Sequence, residues 1–451
     1  MLGITALVNR KPAGSKSLQA IYARPLSAFR SSRVRHILKQ SRNLTKALLE
    51  RDLRNLKRRN FLQSLAIFSA ATALSGCQQG NREAIDIQVL KKSVPAALIS
   101  EFRKEVRRGS LVQFDTVSQR QESFDLLQKW QRNALDRVVN SEAEPSRWFL
   151  TDLLSGRQPE RVPHLCQLGH YWLDRAIALK TIAPLSHLDV SWPEIAAKTP
   201  FRWQYRPTAE PNSPEPLWAV PYTWGTTAIA YRADRLGDWR PQDWQDLWEH
   251  PDLEGRIILP DSPRETIGLA LKSLGESYNT PRPDRVSGLR AHLEALQKRT
   301  LTYSSTSYQQ SLVLGDAWVA IGTSQDIAKM PEFGRTVGAV VPRSGTALWA
   351  DLWVQPRVSA EAMAAAQTGL TQRWIEFCWQ QNIAETLSAV SGAASPGLFR
   401  VDRAELAPGI REAGLLLPDD ARLAKSEFIQ PLASAESIDA YAQLWEAVRS
   451  S

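Results

Sequence analysis

Apolar and polar positions alternate with two different periods through most of the chain after residue 84. Short β-branched or apolar runs predict strands over residues 85–90, 111–117, 162–168, 257–259, 318–321, 337–341 and 348–354. Apolar residues at helical spacing between these runs predict helices over residues 95–107, 120–138 and 171–179. Strands that alternate with helices are typical of α/β proteins, so we expect an α/β fold.

A different pattern precedes residue 77. The paired Arg58 and Arg59 are followed by an apolar run over 61–76 and then by Cys77, which is the order of a secretory signal. The arginine pair resembles a twin-arginine export signal, and Leu-Ser-Gly-Cys at 74–77 resembles a bacterial lipobox that would place a lipid on Cys77. The alternative interpretation is a buried apolar helix beside a chance arginine pair.

Residues 1–49 contain bases and serines but no acid. This composition is typical of an organellar transit peptide, and the other interpretation, which we favour, is a translation start placed too far upstream. A bipartite plastid signal stays open at this point. We therefore treat residues 1–76 as a leader and the rest as the working protein.

The location of the charge changes what it implies. The 451 residues include 56 Lys and Arg against 47 Asp and Glu, a formal charge of +9 that would suggest a nucleic acid or an anionic membrane as partner. Residues 1–76 hold 15 of the bases and two of the acids, so the leader carries +13 and residues 77–451 carry −4. We therefore expect no nucleic-acid partner.

The sequence motifs of common enzymes and metal sites are missing from the chain. It has no His-Glu-x-x-His, no Gly-x-Ser-x-Gly, no P-loop and no dinucleotide fingerprint, so we expect no enzyme, no metal site and no cofactor. Cys166 and Cys378 do not make a disulfide framework, and we expect two buried thiols.

Four stretches of the body carry a family resemblance. The first is Val-Pro-Tyr-Thr-Trp-Gly-Thr-Thr at 220–227, and the second is a predicted helix that ends in Leu-Glu-Gly, over 244–255. The third is Asp-Ser-Pro-Arg-Glu at 261–265 followed by residues 274–279. The fourth is residues 341–345 followed by Trp-Ala-Asp at 349–351. In their order and spacing the chain resembles the spermidine/putrescine-binding family of solute-binding proteins of ABC importers.

This resemblance implies a fold and a domain organisation. The fold is the type II periplasmic-binding-protein fold, in which a cleft between two α/β lobes binds one solute and the lobes close by hinge motion. Lobe one would hold 77–226 with a return segment at about 350–400, and lobe two would hold 227–349 with part of 400–451. The crossovers are expected near 226–231 and 348–354.

The same resemblance implies ligand contacts. Asp351 is the expected ammonium ligand and Trp349 the expected stacking wall; the alternative is a core Trp beside a surface carboxylate. Glu265 matches an acid of the family pattern, and Ser262 stands where a second acid is expected. Residues 262–265 are also a capping box with Pro at the first helical position, so Glu265 has a structural alternative.

Two further aromatic residues complete the expected site. Tyr171 stands where the family places a tyrosine that faces the ligand, and the structural alternative is that Tyr171 is a core aromatic residue. Trp224 is expected to line the same cleft. His170 is expected to be a surface or capping residue. Gly225, inside a strand pattern, predicts a close backbone approach or a bend.

The chain also departs from the family pattern. Lys91 and Lys92 replace an aromatic-rich segment, and they would either repel a cation at the cleft or point to solvent. Thr323 and Ala393 stand where a Trp and a Tyr are expected. These departures affect the polyamine specificity more than the fold.

The sequence therefore predicts a solute-binding lipoprotein of an ABC importer. We expect a monomer in the periplasm or cell envelope that captures a polyamine-like cation, delivers it to a membrane permease and contacts the membrane only through its lipid anchor. The alternatives are another solute, such as ferric iron at Tyr303 and Tyr308 or a non-amine, and a non-transport envelope sensor or assembly lipoprotein.

Overall fold

The computed structural model describes residues 83–106, 109–143, 161–185, 188–200, 216–330, 333–358 and 368–451. The predicted export and lipidation residues Arg58, Arg59 and Cys77 lie outside these residues. None of the helices in the described part of the chain has the length and hydrophobicity that a bilayer span requires.

The strands of the described residues, in chain order, are β1 Ala84–Leu90, β2 Leu111–Val117, β3 Leu165–Gly169, β4 Ile182–Ala183, β5 Val220–Arg232, β6 Ile257–Leu259, β7 Thr300–Tyr303, β8 Val319–Thr323, β9 Val337–Val340, β10 Ala347–Pro356 and β11 Glu427–Phe428.

The α-helices of the same residues are α1 Ala96–Glu105, α2 Arg120–Ala143, α3 Leu173–Ala178, α4 Trp192–Ala197, α5 Asp246–Glu249, α6 Pro263–Ser273, α7 Leu289–Arg299, α8 Tyr308–Leu314, α9 Ser324–Ala328, α10 Thr368–Cys378, α11 Gln381–Ser391, α12 Pro408–Arg411, α13 Asp420–Ala424 and α14 Ala435–Arg449.

All seven predicted strands and the three predicted helices are confirmed, with ends that differ by a few residues. The largest difference is in the helix predicted over 171–179, which the structure divides into a 3₁₀ turn at His170–Trp172 and α3. Tight 3₁₀ turns are common at helix starts. Cys166 and Cys378 are buried free thiols, as expected.

Strand β5 connects two sheets. Its first half, up to Thr226, pairs antiparallel with β10, and its second half, from Thr227, pairs antiparallel with β8 and β9. On one side of this switch β10 also pairs with β3, which continues through β1 to β2. On the other side β8 continues through β6 to β7. One strand therefore passes from lobe one into lobe two.

Each lobe has its own hydrophobic core. The core of lobe one contains several fully buried large aromatic residues, namely Phe102, Trp192, Trp353, Trp374 and Trp379. A separate cluster in lobe two is built around Trp244, Leu253, Tyr278 and Val319, and α14 packs against α6 and α7 of that lobe through Tyr441, Leu444 and Val448. The predicted α/β, two-lobed fold is confirmed.

Candidate functional site

Trp349 and Asp351 lie on the same face of β10, next to the point where β5 passes between the lobes. Asp351 is opposite Gly169 of β3 and Thr223 of β5, and Trp349 is opposite Gly225. A Cβ atom at Gly225 would lie 2.5 Å from Cζ2 of Trp349. The indole therefore packs directly on the backbone of Gly225, which confirms the predicted close approach.

The carboxylate of Asp351 is paired with an arginine of the same chain. Arg120, the first residue of α2, donates from Nε to Oδ1 over 2.5 Å and from Nη2 to Oδ2 over 2.9 Å. The side chain of Asp351 is 3% exposed and that of Arg120 is 43% exposed. Such a planar, two-point contact is the strongest form of ion-pair hydrogen bonding. Asp351 is thus not a surface carboxylate.

The same guanidinium lies over Trp349. Its central carbon is 5.1 Å from the centre of the indole ring, within the distance at which a cation is attracted to an aromatic face. The Asp351 charge raises the pKa of Arg120 further above its ordinary value, so the guanidinium stays charged. Carboxylate and indole together hold a cation.

Sequence reasoning missed Arg120. The residue contacts Asp351 across 231 positions of the chain, and no local motif marks it as a partner. The space it occupies does depend on a glycine: a Cβ atom at Gly169 would lie 3.3 Å from Cδ of Arg120. Gly169 at the end of β3 was therefore the nearest available signal.

Charges from both lobes act on a lysine of lobe two. Burial lowers the pKa of Lys329, which follows α9 of lobe two, and the charges of Lys92 and Arg120 in lobe one lower it further, whereas Asp326 raises it. Lys92 has a positive φ of 66° in the loop after β1. Of the two interpretations left open for Lys92, its exposure supports the one in which its side chain points to solvent.

His170 is next to the pair and is neutral. Its Nδ1 accepts a hydrogen bond from the backbone N–H of Ala350 over 3.2 Å, and its ring lies 5.1 Å from that of Phe428. Burial lowers the pKa of His170 to about 4. The prediction of a surface or capping role for His170 was wrong, because the imidazole is packed between β10 and β11.

Tyr171 follows in the 3₁₀ turn after β3 and is 36% exposed. Its ring meets the edge of Trp172 at 5.5 Å, and Trp172 in turn stacks on Phe124 of α2 at 4.8 Å. The core alternative for Tyr171 is therefore contradicted, and the residue stays available to a ligand.

Trp224 does not line the cleft. Its side chain is fully buried in the core of lobe one and stacks on Phe399 at 5.7 Å. Because successive side chains of a strand point to opposite faces, the position of Gly225 under Trp349 directs Trp224 to the other face of the sheet. The predicted ligand role of Trp224 was wrong for this reason.

Ser262 and Glu265 lie at the start of α6 in lobe two. The hydroxyl of Ser262 accepts from the backbone N–H of Glu265 over 3.4 Å, which confirms the predicted N-cap. Within the described residues no hydrogen bond or ion pair reaches the half-buried carboxylate of Glu265, so the reciprocal half of the capping box is not formed. Burial raises the pKa of Glu265.

The two tyrosines considered for iron have separate surroundings. Tyr303 donates its hydroxyl to Gln297 and meets the edge of Trp445 at 5.1 Å, whereas Tyr308 is buried against Gly322, where a Cβ atom would lie 2.3 Å from its ring. Across the described ranges, no group of three or more His, Cys, Asp or Glu side chains is placed to hold a metal ion.

Comparisons with known proteins agree with this architecture. A family model described as "Bacterial extracellular solute-binding protein" matches residues 152–396, more than half of the 451 residues. The spermidine/putrescine-binding periplasmic protein of Escherichia coli (strain K12) is 23% identical over 374 residues, which cover 83% of this chain and 94% of that protein. A putrescine/cadaverine-binding protein of Pseudomonas aeruginosa is 30% identical over 244 residues, 51% of this chain and 66% of that protein.

A solved structure shares the fold. The spermidine/putrescine ABC transporter substrate-binding protein PotD of Streptococcus pneumoniae superimposes with a TM-score of 0.64 at 19% sequence identity. The match covers 82% of this chain and 99% of that one. At this identity the match establishes a common two-lobed architecture.

Proposed function

Because the chain belongs to the family of bacterial extracellular solute-binding proteins, we propose that it captures a small amine of the polyamine class in the cleft between its lobes. It is the solute-binding component of an ABC importer, and not an enzyme. Delivery of the amine to a membrane permease follows from that role.

One observation carries the choice of an amine. Asp351 and Trp349 hold a cation, the guanidinium of Arg120, through two hydrogen bonds and a ring face. An ammonium or guanidinium group of a solute would make the same contacts, of which the ring contact contributes about 0.5–2 kcal/mol. The names of the relatives from Escherichia coli and Pseudomonas aeruginosa, which bind spermidine, putrescine or cadaverine, support the same class.

Two other contacts extend the proposed site. Glu265 offers a half-buried carboxylate that no other described group binds, and Tyr171 offers an exposed ring at the other lobe. A linear polyamine carries charges at both ends of an apolar chain, so acids on separate elements with aromatic surfaces between them are complementary to it.

We also propose that the protein works in the periplasm as a monomer held to the membrane by a lipid on Cys77, after export through the signal that contains Arg58 and Arg59. The lipobox and twin-arginine resemblances support this. Mass spectrometry of the mature N-terminus tests it, since an acylated Cys77 is expected and an unmodified residue there would contradict the anchor.

Isothermal titration calorimetry of the purified protein tests the cargo class. Spermidine, putrescine and cadaverine are titrated beside a panel of sugars, carboxylates and ferric citrate. Saturable heat with at least one amine is expected. Binding to a solute from the other panel, with no response to any amine, would contradict the polyamine class while leaving the fold and the transport role intact.

The affinity for an amine is expected to fall as the pH is lowered. Burial raises the pKa of Glu265, so its carboxylate gains a proton at a higher pH than an ordinary glutamate does, and a protonated Glu265 no longer attracts an ammonium group. Calorimetric titrations of spermidine over a pH series check this. In the Glu265→Gln variant we expect affinity reduced by about 1 kcal/mol near neutral pH and a flatter pH dependence; an unchanged pH profile would exclude Glu265 from the site.

A further inference from the structure

The cation subsite formed by Asp351 and Trp349 is filled by a side chain of the protein itself. The Arg120 guanidinium uses both carboxylate oxygens of Asp351 and the face of Trp349. These are the contacts that the proposed function assigns to the amine. A cargo amine and Arg120 therefore cannot occupy the subsite together.

The two members of the ion pair differ in their freedom to move. Asp351 lies in the middle of β10 and its side chain is 3% exposed, whereas the side chain of Arg120 is 43% exposed. Arg120 begins α2, and its long side chain extends over Gly169, which has no side chain to confine it. The carboxylate is fixed by the sheet, while the guanidinium has a route to solvent.

The guanidinium of Arg120 acts on a like charge of lobe two. Arg120 and Lys92 both act on Lys329 as like charges, and Lys329 follows α9, which contacts lobe one through the hydrogen bond from Gln325 Nε2 to the Ser391 carbonyl over 3.1 Å. Asp351 and Trp349 hold Arg120 in the subsite, while Arg120 and Lys329 repel each other as like charges.

We propose that Arg120 is a tethered cation that occupies the cargo's cation subsite in the ligand-free protein and that the cargo displaces it from Asp351 and Trp349. The inference rests on the proposed function and names the residue that sets affinity and selectivity at that site. A solute binds only if its own cation competes with Arg120, so small, weakly held cations are excluded.

An acceptor for the displaced guanidinium lies on the opposite lobe. Asp326 of α9 acts favourably on the charge of Arg120, and its carboxylate accepts a hydrogen bond from Thr323 Oγ1 over 2.9 Å but has no ion pair of its own among the described residues. A move of Arg120 from Asp351 to Asp326 would exchange a contact within lobe one for a contact between the lobes. Cargo binding would then favour closure.

The experiment compares spermidine and putrescine affinities of the wild-type protein and the Arg120→Gln variant by calorimetry. If roughly nine in ten ligand-free molecules hold Arg120 in the subsite, removal of the competitor tightens amine binding about tenfold. Arg290→Gln is the matched control, because this exposed arginine pairs with Glu294 on the surface of lobe two. The affinity of this control variant for both amines should equal that of the wild type.

A second variant and a spectroscopic signal distinguish displacement of Arg120 from a folding defect of the Arg120→Gln protein. Arg120→Lys keeps the charge but loses the two-point contact, so its affinity should lie between those of the wild type and the glutamine variant. The Arg120 Nε–H resonance lies over the indole ring in the ligand-free protein and should shift on addition of spermidine, and it is identified by its absence in Arg120→Gln.

Four results would overturn the proposal. In the first, the wild type binds an amine while neither variant binds it more tightly, and in the second, the Nε–H resonance does not move. Either result contradicts the displacement of Arg120 and leaves the proposed function intact. Loss of binding in Arg120→Gln, with wild-type binding of a carboxylate solute, would make Arg120 a direct contact for an anion. No response to any amine in all three proteins would remove the proposed function together with this inference.

Discussion

In a chain that already carries Arg120→Gln, replacing Asp351 by Asn is expected to weaken spermidine binding by roughly 10- to 150-fold. A hydrogen bond to a charged partner contributes about 1.5–3 kcal/mol, and that range corresponds to this loss of affinity. Asparagine has the shape of aspartate but no charge, so the variant leaves no unpaired carboxylate at a position that is 2% exposed.

The same substitution in the wild-type chain is expected to have a smaller effect. Asp351→Asn removes the partner of the cargo, but it also removes the partner that holds Arg120 in the subsite. The two consequences partly cancel, so Asp351 and Arg120 should show a coupling energy in a double-mutant cycle.

Calorimetry of the wild type, the two single variants and the double variant measures this coupling. Equal losses from Asp351→Asn in both backgrounds would mean that Arg120 does not compete for the carboxylate. No loss in either background would assign Asp351 a purely structural role.

The elements of this fold could be predicted because their signals are local. The runs that became β1 and β2 are bounded by polar residues and pair with each other in parallel over seven residues each. The threonine-rich segment that became β5 was predicted as the crossing between the lobes, and its sheet partners change between Thr226 and Thr227.

The candidate site could be predicted only in part, because its central contact is not local. Asp351 and Trp349 belong to one short motif, which made them visible in the sequence. Arg120 reaches them from a helix 231 positions away, and an arginine at the start of a helix has no pattern that separates it from any other surface base. Gly169, whose missing side chain leaves room for Arg120, was the nearest signal, and it does not identify the residue that fills the space.

The error at Trp224 had a signal that could have prevented it. Thr223 and Gly225 face Asp351 and Trp349 across the strand pair, and the residue between them must point to the opposite face. Two neighbouring residues of one regular strand cannot both line the same cleft. Alternation along the strand was therefore more informative here than the aromatic character of the side chain.

Gly225→Ala is expected to disturb both the stability and the binding of the protein. The new Cβ atom would lie 2.5 Å and 2.8 Å from two ring atoms of Trp349 and 2.8 Å from Oγ of Ser324. The ring is confined because Trp349 and Gly225 are directly paired in the sheet. Overpacking of this kind lowers the free energy of unfolding by about 1–3 kcal/mol.

Trp349 must leave its place to relieve the contact, and the cation subsite then loses its aromatic wall. Spermidine affinity should fall by roughly 2- to 30-fold, the equivalent of about 0.5–2 kcal/mol for a cation on a ring face. Denaturant unfolding and calorimetry on the same preparation measure the two effects. Gly369→Ala is the control, because no group of the described residues outside the helix's own backbone lies within 4 Å of the position that a Cβ atom would take at that helical glycine and alanine favours the helix. A Gly225→Ala protein with wild-type stability and affinity would show that Trp349 is neither confined by β5 nor part of the site.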